Sequence, residues 1–133
     1  MPPELANLTA LRDLILTRNK FSKIPAAVGK LNALRTLHLS GNQIELIPAF
    51  VCGLDLTELY LNDNYIKQLP ATIGNLRNLR KLYIKNNKIT SFPDSMKNLQ
   101  NLQIIIANNN PLPQKERKKL AEMLPNCEII YGY

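Results

Sequence analysis

Tryptophan is absent from this sequence, and other aromatic residues are scarce. Aromatic residues make up 6% of the chain, whereas 45% of its 133 residues are hydrophobic. A core built from aromatic rings is therefore excluded, and aliphatic side chains must form the buried interior. The length suffices for one domain with a continuous core and is too short for two.

Residues suited to catalysis are also scarce. His38 is the single histidine, and no Cys or Ser stands beside it in a nucleophile motif. The five glycines form no phosphate-cradling loop, and no cluster of His, Cys, Asp or Glu has metal-ligand spacing. We therefore expect no enzyme, no bound metal and no cofactor within these residues. A catalytic domain elsewhere in a longer polypeptide, with this chain choosing its target, stays open as an alternative.

Cysteines are few, and long apolar runs are missing. Cys52 and Cys127 lie far apart, and we expect both to be buried small hydrophobes rather than a disulfide. No stretch approaches the roughly 20 apolar residues of a membrane span, and the start MPPELANL lacks the basic and apolar regions of a secretory signal. Unpaired cysteines favour a reducing, cytoplasmic location. A secreted or bacterial cell-surface location stays open as the alternative.

The charge balance is basic, with 17 Lys and Arg against 10 Asp and Glu and a formal net charge of +7. Such a balance raises the possibility of a nucleic-acid or anionic membrane partner. The basic residues are nevertheless spread along the chain, and the dense run near the C-terminus comprises Lys115, Arg117, Lys118 and Lys119. Within that run Leu120, Met123 and Leu124 recur at helical spacing. We therefore interpret the run as the solvated face of a helix.

A nine-residue pattern, LxxLxLxxN, recurs along the chain. Its copies are LRDLILTRN, LRTLHLSGN, LTELYLNDN, LRKLYIKNN and LQIIIANNN, and they begin at residues 11, 34, 56, 79 and 102. The starts are 23, 22, 23 and 23 residues apart, and a second recurring piece follows each of the first four copies: FSKIPAAVGKL, IELIPAFVCGL, IKQLPATIGNL and ITSFPDSMKNL. The one-residue deletion near Cys52 is expected on the outside of the coil. A fixed period of this length indicates stacked structural repeats.

Within each copy the fourth and sixth positions alternate with polar neighbours, which is typical of a short strand with one buried face. Four-residue strands are unstable alone, but stacked copies can pair backbone to backbone as a parallel sheet. The side chains predicted to point inward are Leu14, Leu16, Leu37, Leu39, Leu59, Leu61, Leu82, Ile84, Ile105 and Ala107.

The ninth position is always asparagine, at Asn19, Asn42, Asn64, Asn87 and Asn110. The chain turns away from the strand at this point and buries backbone groups that no ladder satisfies. An amide side chain offers both a donor and an acceptor there. We therefore predict a structural asparagine ladder rather than a glycosylation or catalytic site. Prolines that start the outer segment fit there because no strand donor is lost; they are Pro25, Pro48, Pro70 and Pro93.

The repeated sequence pattern resembles that of the leucine-rich repeat family, in the subclass with the consensus LPxxIGNLxNLxxLxLxxNxI, over residues 2 to about 112. The resemblance implies an α/β fold: a right-handed solenoid with a parallel concave β-sheet and short helical or irregular convex segments. Bacterial members, spirochaete proteins among them, have nearly this repeat consensus, as do some cytosolic eukaryotic scaffolds. A single domain is expected, divided into a partial first repeat at 1–10, about five repeats at 11–112 and a cap at 113–133.

The two ends of the predicted solenoid differ. The last segment resembles the C-terminal cap of bacterial members, a helix followed by a strand-like piece, and we assign to this lid Leu112, Leu120, Met123, Leu124, Ile129 and Ile130. The first segment, MPPELANL, matches the middle of a repeat, and no capping motif precedes it. Leu11, Leu14 and Leu16 are expected to be partly uncovered there, so self-association through this end is a further prediction.

Function must come from the exposed positions, because the repeat specifies only a scaffold. The fifth-position column is more apolar than a solvated surface needs to be, which is typical of a contact surface. We predict a protein ligand on the concave face, held by Ile15, His38, Tyr60, Tyr83 and Ile106 with Glu58, Lys81 and Lys85 beside them. In the alternative interpretation, Tyr60 and Tyr83 merely stack to cover the sheet.

Two other functions compete with protein binding. The net charge of +7, with Tyr60 and Tyr83 as base platforms, would suit nucleic acid. Asp13, Glu58 and Asp63 share the same face and would repel phosphate, so we consider nucleic acid the weaker hypothesis. The other competitor is an architectural role through end-to-end stacking of the first coil.

Overall fold

The computed structural model describes Glu4 and residues 7–132. Part of the predicted half-repeat at 1–10, namely residues 1–3, 5 and 6, lies outside the described residues. The rest contains six short strands, which form one sheet in chain order. They are β1 (Asp13–Ile15), β2 (Thr36–His38), β3 (Glu58–Tyr60), β4 (Lys81–Tyr83), β5 (Ile104–Ile106) and β6 (Glu128–Ile130).

Neighbouring strands are parallel and pair with no register slip, so the middle residue of each strand is aligned with the middle residue of the next. The predicted solenoid with its parallel sheet is thereby confirmed. The middle residues point into the core, where Leu37, Leu59 and Leu82 are fully buried. Toward the N-terminal end Leu11 and Leu16 are only partly buried, as predicted, whereas Leu14 is buried and differs from the prediction. Self-association through this end stays a prediction.

The outer segments are short and mostly 3₁₀-helical. Between β1 and β5, 3₁₀ helices span Ala26–Lys30, Ala71–Asn75 and Asp94–Asn98, and an α-helical turn, α1, spans Ala49–Cys52. Each begins directly after a proline, whose fixed φ suits a helix start and whose missing N–H costs no bond there. The one-residue deletion lies between α1 and β3, on the outer segment and away from the sheet.

A longer helix, α2 (Gln114–Met123), precedes β6 at the C-terminal end. Leu120 and Leu124 are buried under the last coil, and Ile129 packs against the core. Ile130 differs from its predicted place in the lid. It is aligned with Ile106 on β5, so the two-residue period of the strand turns its side chain to the open face of the sheet.

The two cysteines are free thiols, and Cys52 is buried as predicted. Cys127 is only partly buried. Burial raises the pKa of the Cys127 thiol to about 11, and the nearby Glu128 carboxylate acts in the same direction. Burial also raises the pKa of the Cys52 thiol. Because the thiolate is the reactive form of cysteine, these raised pKa values disfavour a nucleophilic role for either thiol.

The asparagine side chains bind each coil to the coil before it. Asn64 donates its amide to the carbonyl oxygens of Leu39 (3.0 Å) and Leu61 (3.1 Å) and accepts from the Ile44 N–H (3.0 Å). The same set of bonds recurs at the equivalent positions Asn42, Asn87 and Asn110. All four of these asparagines are buried.

Asn19 departs from this column. Its side chain is exposed, and within the described residues its amide donates only to the Thr17 carbonyl, at 3.1 Å. The reason is geometric, since each ladder asparagine binds the preceding coil and no strand before β1 occurs in the described part of the chain. Asn19 is therefore paired through its own backbone N–H to Asn42 rather than through its amide.

The residue before the asparagine at the ninth position of each repeat has a left-handed backbone, which the repeat pattern did not predict. The five φ values lie between 57° and 74°, at Arg18, Gly41, Asp63, Asn86 and Asn109. Gly, Asn and Asp tolerate this conformation at little cost, which explains their presence at four of the five positions. The sharp left-handed step turns the chain out of the strand, and at four of the five positions the asparagine that follows is buried.

Gly74 marks a close approach between the outer segments of two coils. A Cβ atom at this position would lie 2.5 Å from the Ser95 carbonyl oxygen and 2.8 Å from the Ser95 Cβ. Both distances are far inside van der Waals contact, so only glycine lets the 3₁₀ helix Ala71–Asn75 sit this close to its neighbour.

Replacement of Asn64 by alanine should lower the free energy of unfolding by about 1 to 3 kcal/mol. The buried Ile44 N–H loses its partner, and the carbonyl oxygens of Leu39 and Leu61 each lose one of their two amide donors. Urea unfolding followed by circular dichroism measures the loss. Asn19→Ala is the matched control and should change stability by less than about 0.5 kcal/mol. Equal losses in the two variants would contradict the ladder.

Gly74→Ala should destabilise the protein by about 1 to 3 kcal/mol, because the coils must separate to admit the methyl group. Gly53→Ala is the control, since its Cβ would meet nothing closer than the Phe50 carbonyl oxygen at 3.5 Å. With φ at −84°, alanine at position 53 should be neutral or slightly stabilising. Thermal unfolding compares the two, and equal melting temperatures would refute the close approach.

Candidate functional site

The strand register places the predicted binding residues in columns on the concave face, which we define as the side of the sheet turned away from the core. One column runs across all six strands and is mainly apolar: Ile15, His38, Tyr60, Tyr83, Ile106 and Ile130. A parallel column carries most of the charge: Asp13, Thr36, Glu58, Lys81, Ile104 and Glu128.

The aromatic part of the apolar column is ordered by ring contacts. His38 stacks on Tyr60 with ring centroids 4.4 Å apart and planes 5° from parallel. Tyr83 meets Tyr60 edge to face, with centroids 4.8 Å apart at 77°. All three rings remain partly exposed, and at the end of the column Ile15 exposes 68% of its surface. The column is therefore a pre-ordered, solvent-facing apolar strip.

Glu58 and Tyr60 form a pair on β3. Two residues apart in a strand, their side chains point to the same face, and the Tyr60 hydroxyl donates a short hydrogen bond to the Glu58 carboxylate. Burial raises the pKa of Tyr60 well above its ordinary value, and the hydrogen bond to Glu58 and its negative charge act in the same direction. Tyr60 is therefore held as a neutral donor, and Glu58 is fixed in position.

The basic residues of the site lie on and just after β4. Lys81, Tyr83 and Lys85 alternate along the chain, so all three face the concave side. Lys81 is aligned with Glu58 in the register of β3 and β4. Within residues 7–132, however, neither lysine ammonium is within salt-bridge distance of a carboxylate.

Polar residues at the end of the strands engage one another and serve the scaffold. The Ser40 hydroxyl accepts from the Asn62 N–H (3.1 Å), and the Asn62 side-chain oxygen accepts from the Lys85 N–H (2.8 Å). Beside them, a side-chain row runs from Asn109 to Asn86 (2.6 Å) and from Asn86 to Asp63 (2.5 Å). Part of the hydrogen-bonding capacity of these side chains is therefore already satisfied within the sheet.

The site contains residues beyond those predicted. Ile104, Ile130 and Glu128 extend the two columns toward the C-terminus. The last two lie on β6, which lacks the LxxLxLxxN pattern, so the period could not place them. The alternation Glu-Ile-Ile after a helix was the available signal, but it is too short to fix a register.

Across the described residues, no group of three or more His, Cys, Asp or Glu could hold a metal ion. No helix among them is both long and apolar enough to cross a bilayer. A pocket of about 440 Å³ lies away from the concave face, beside the exposed Leu46 and the partly buried Phe50.

Comparison with known proteins agrees with this architecture. The family model of the leucine-rich repeat matches residues 4–44 and 55–112, which is most of the chain. The chain therefore belongs to the leucine-rich repeat family. Domains of this family are typically protein-interaction scaffolds rather than enzymes. A search of curated proteins gave no significant match.

Two solved bacterial structures are similar to this chain. A leucine-rich repeat protein of Leptospira interrogans superposes with a TM-score of 0.94 at 36% identity, over 98% of this chain and 34% of its own. An internalin of Listeria monocytogenes gives a TM-score of 0.67 at 22% identity, over 98% of this chain and 44% of its own, and so shows the fold alone. The chain spans about a third of the Leptospira protein and under half of the internalin.

Glu58→Gln should lower the pKa of Tyr60 toward the ordinary tyrosine value of about 10, because it removes the negative charge while burial remains. Phenolate absorbance during an alkaline titration, minus that of Tyr60→Phe, isolates this group. Since the folded pKa is raised, the stability that Tyr60 contributes is present below its unfolded pKa and is lost as pH rises through the folded one. An unchanged titration in Glu58→Gln would show that the pair does not form.

Proposed function

We propose that this chain is a protein-interaction module that binds its partner on the concave face. One observation carries the proposal: a mainly apolar, partly exposed column of side chains crosses all six strands of the sheet. Exposure of such an apolar strip to water is unfavourable, and a partner that covers it removes apolar surface from solvent. The family supports the same general role.

The dimensions of the face suit a short segment or the edge of a small domain. Neighbouring strands lie roughly 4.8 Å apart, so six strands span about 24 Å. An extended peptide needs about seven residues to cross that distance. Affinity would then depend on a few anchors at the centre, where aromatic side chains contribute most.

The ring contacts favour binding over a purely structural role for the tyrosines. Tyr60 and Tyr83 are held in place by His38, Glu58 and each other, yet they stay partly exposed. Rigid exposed rings lose little conformational entropy when a partner covers them. A structural role alone would not need Ile15 at the end of the column to expose 68% of its surface.

The share of the Leptospira protein that this chain matches, 34%, is consistent with a targeting part of a larger protein. In that arrangement the concave face would choose the target and another domain would act on it. Nucleic acid is the weaker alternative, because Glu58 and Asp63 stand among the lysines of the face.

Tyr60→Ala with Tyr83→Ala should leave the fold intact and weaken partner binding by at least about 2 kcal/mol, roughly 30-fold, because both central anchors are lost. Affinity capture from cell extracts at moderate salt compares the variant with the wild type. The matched control is Tyr65→Ala with Leu46→Ala, two exposed apolar residues that lie after the strands rather than on them. Capture that survives the first variant and fails in the second would contradict the proposal.

A further inference from the structure

The concave face is not uniform along the solenoid. Toward its N-terminal end the charged column carries Asp13 and Glu58, whereas β4 and the residues after it carry Lys81 and Lys85. On β5 both columns carry isoleucine, at Ile104 and Ile106, and on β6 the apolar column carries Ile130 while the charged column ends at Glu128. Cationic and apolar groups therefore adjoin over β4, β5 and β6.

We propose that this part of the concave face, defined by Lys81, Tyr83, Lys85, Ile104, Ile106 and Ile130, recognises a partner segment that carries a carboxylate next to an aliphatic or aromatic side chain. The inference rests on the proposed protein-binding role of the face and names the chemistry of the partner. The lysines bind the carboxylate, and the isoleucines with Tyr83 contact the apolar side chain.

The lysines are suited to an external anion because the protein does not neutralise them. Within residues 7–132, neither Lys81 nor Lys85 is within salt-bridge distance of a carboxylate. The nearest candidate by register, Glu58, is held instead by the Tyr60 hydroxyl. Glu58 therefore stays on its own side of the face while the ammonium groups are available to a partner.

The geometry limits how much negative charge the partner can bring. Lys81 and Lys85 stand on either side of Tyr83, with Cα atoms about 13 Å apart, and their flexible stems reach toward the ring from both directions. Glu58 lies one strand away, and Glu128 lies two strands away on the other side, at roughly 10 Å. The cationic zone is thus one strand wide, which fits an isolated carboxylate and opposes a run of phosphates.

The isoleucine cluster supplies the second half of the specificity. Ile104, Ile106 and Ile130 are partly exposed and lie on the two strands beyond the lysines. A carboxylate alone on surface lysines would bind weakly, because exposed ion pairs contribute little. An adjacent apolar side chain adds burial and excludes water from the ion pair, so the two features act together.

The test uses a phage-displayed library of random peptides of about eight residues, long enough to cross the face. Selection on the wild type should enrich Asp or Glu within a residue or two of an aliphatic or aromatic residue. Lys81→Glu with Lys85→Glu should weaken binding of the selected peptides by about tenfold or more, because charge reversal turns attraction into repulsion. Selection on that variant should replace the acid by Lys or Arg.

Two further variants keep the test decisive. Lys115→Glu with Lys118→Glu makes the same change of charge at exposed positions of α2 and should leave peptide affinity unchanged. Lys81→Met with Lys85→Met keeps the apolar stems and should weaken binding several-fold even where charge reversal disturbs the fold.

Each outcome separates this inference from the function on which it rests. Peptides that bind through Tyr60 and Tyr83 but show no acid preference, or are insensitive to the lysine changes, would overturn the inference and leave the protein-binding role standing. The absence of any peptide that depends on the two tyrosines would overturn both. A single-stranded oligonucleotide held more tightly than the selected peptides, and released by the lysine changes, would also overturn the inference.

Discussion

The amide of the ladder asparagine is the interaction on which the rest of the structure depends. Each of four asparagines donates to a carbonyl in its own coil and to one in the coil before, and accepts from an N–H of that earlier coil. Strands of three residues have too few backbone bonds to fix their own register. The buried amides fix it for them, because their partners lie at one position of the neighbouring coil and no other.

This fixed register aligns the outward side chains of successive repeats into one continuous surface. Without it, residues that are 22 or 23 apart in sequence would not stand side by side, and the apolar and charged columns would not exist. Packing and hydrogen bonding restrict the core positions to residues such as Leu, Ile and Asn. The outward positions are not restricted in this way. Side chains such as Tyr60 and Lys81 therefore vary from coil to coil, and the chemistry of the face is set by them alone.

Sequence periodicity could predict the period, the strands and which residues share a column, because burial imposes the same pattern on every coil. It could not predict that the Asn19 side chain stays out of the ladder, because that depends on whether a coil precedes it. Nor could it predict the left-handed residue before each asparagine, because the residue type there varies, from Arg18 to Gly41 for example. β6 was foreseen only as a strand-like piece, so Ile130 was assigned to the lid and not to the concave face. The Glu58–Tyr60 hydrogen bond was missed because the period describes backbone positions, while the bond depends on rotamers.

We expect a partner to contact the centre of the concave face, and site-specific photo-crosslinking measures this contact most directly. A photoreactive amino acid would replace Tyr83 on the concave face in one protein and the exposed Tyr65, outside the strands, in another. Irradiation in cell extract should give a discrete adduct from position 83 and none from position 65. A discrete adduct from position 65, with none from position 83, would show that the partner binds elsewhere and would contradict the account.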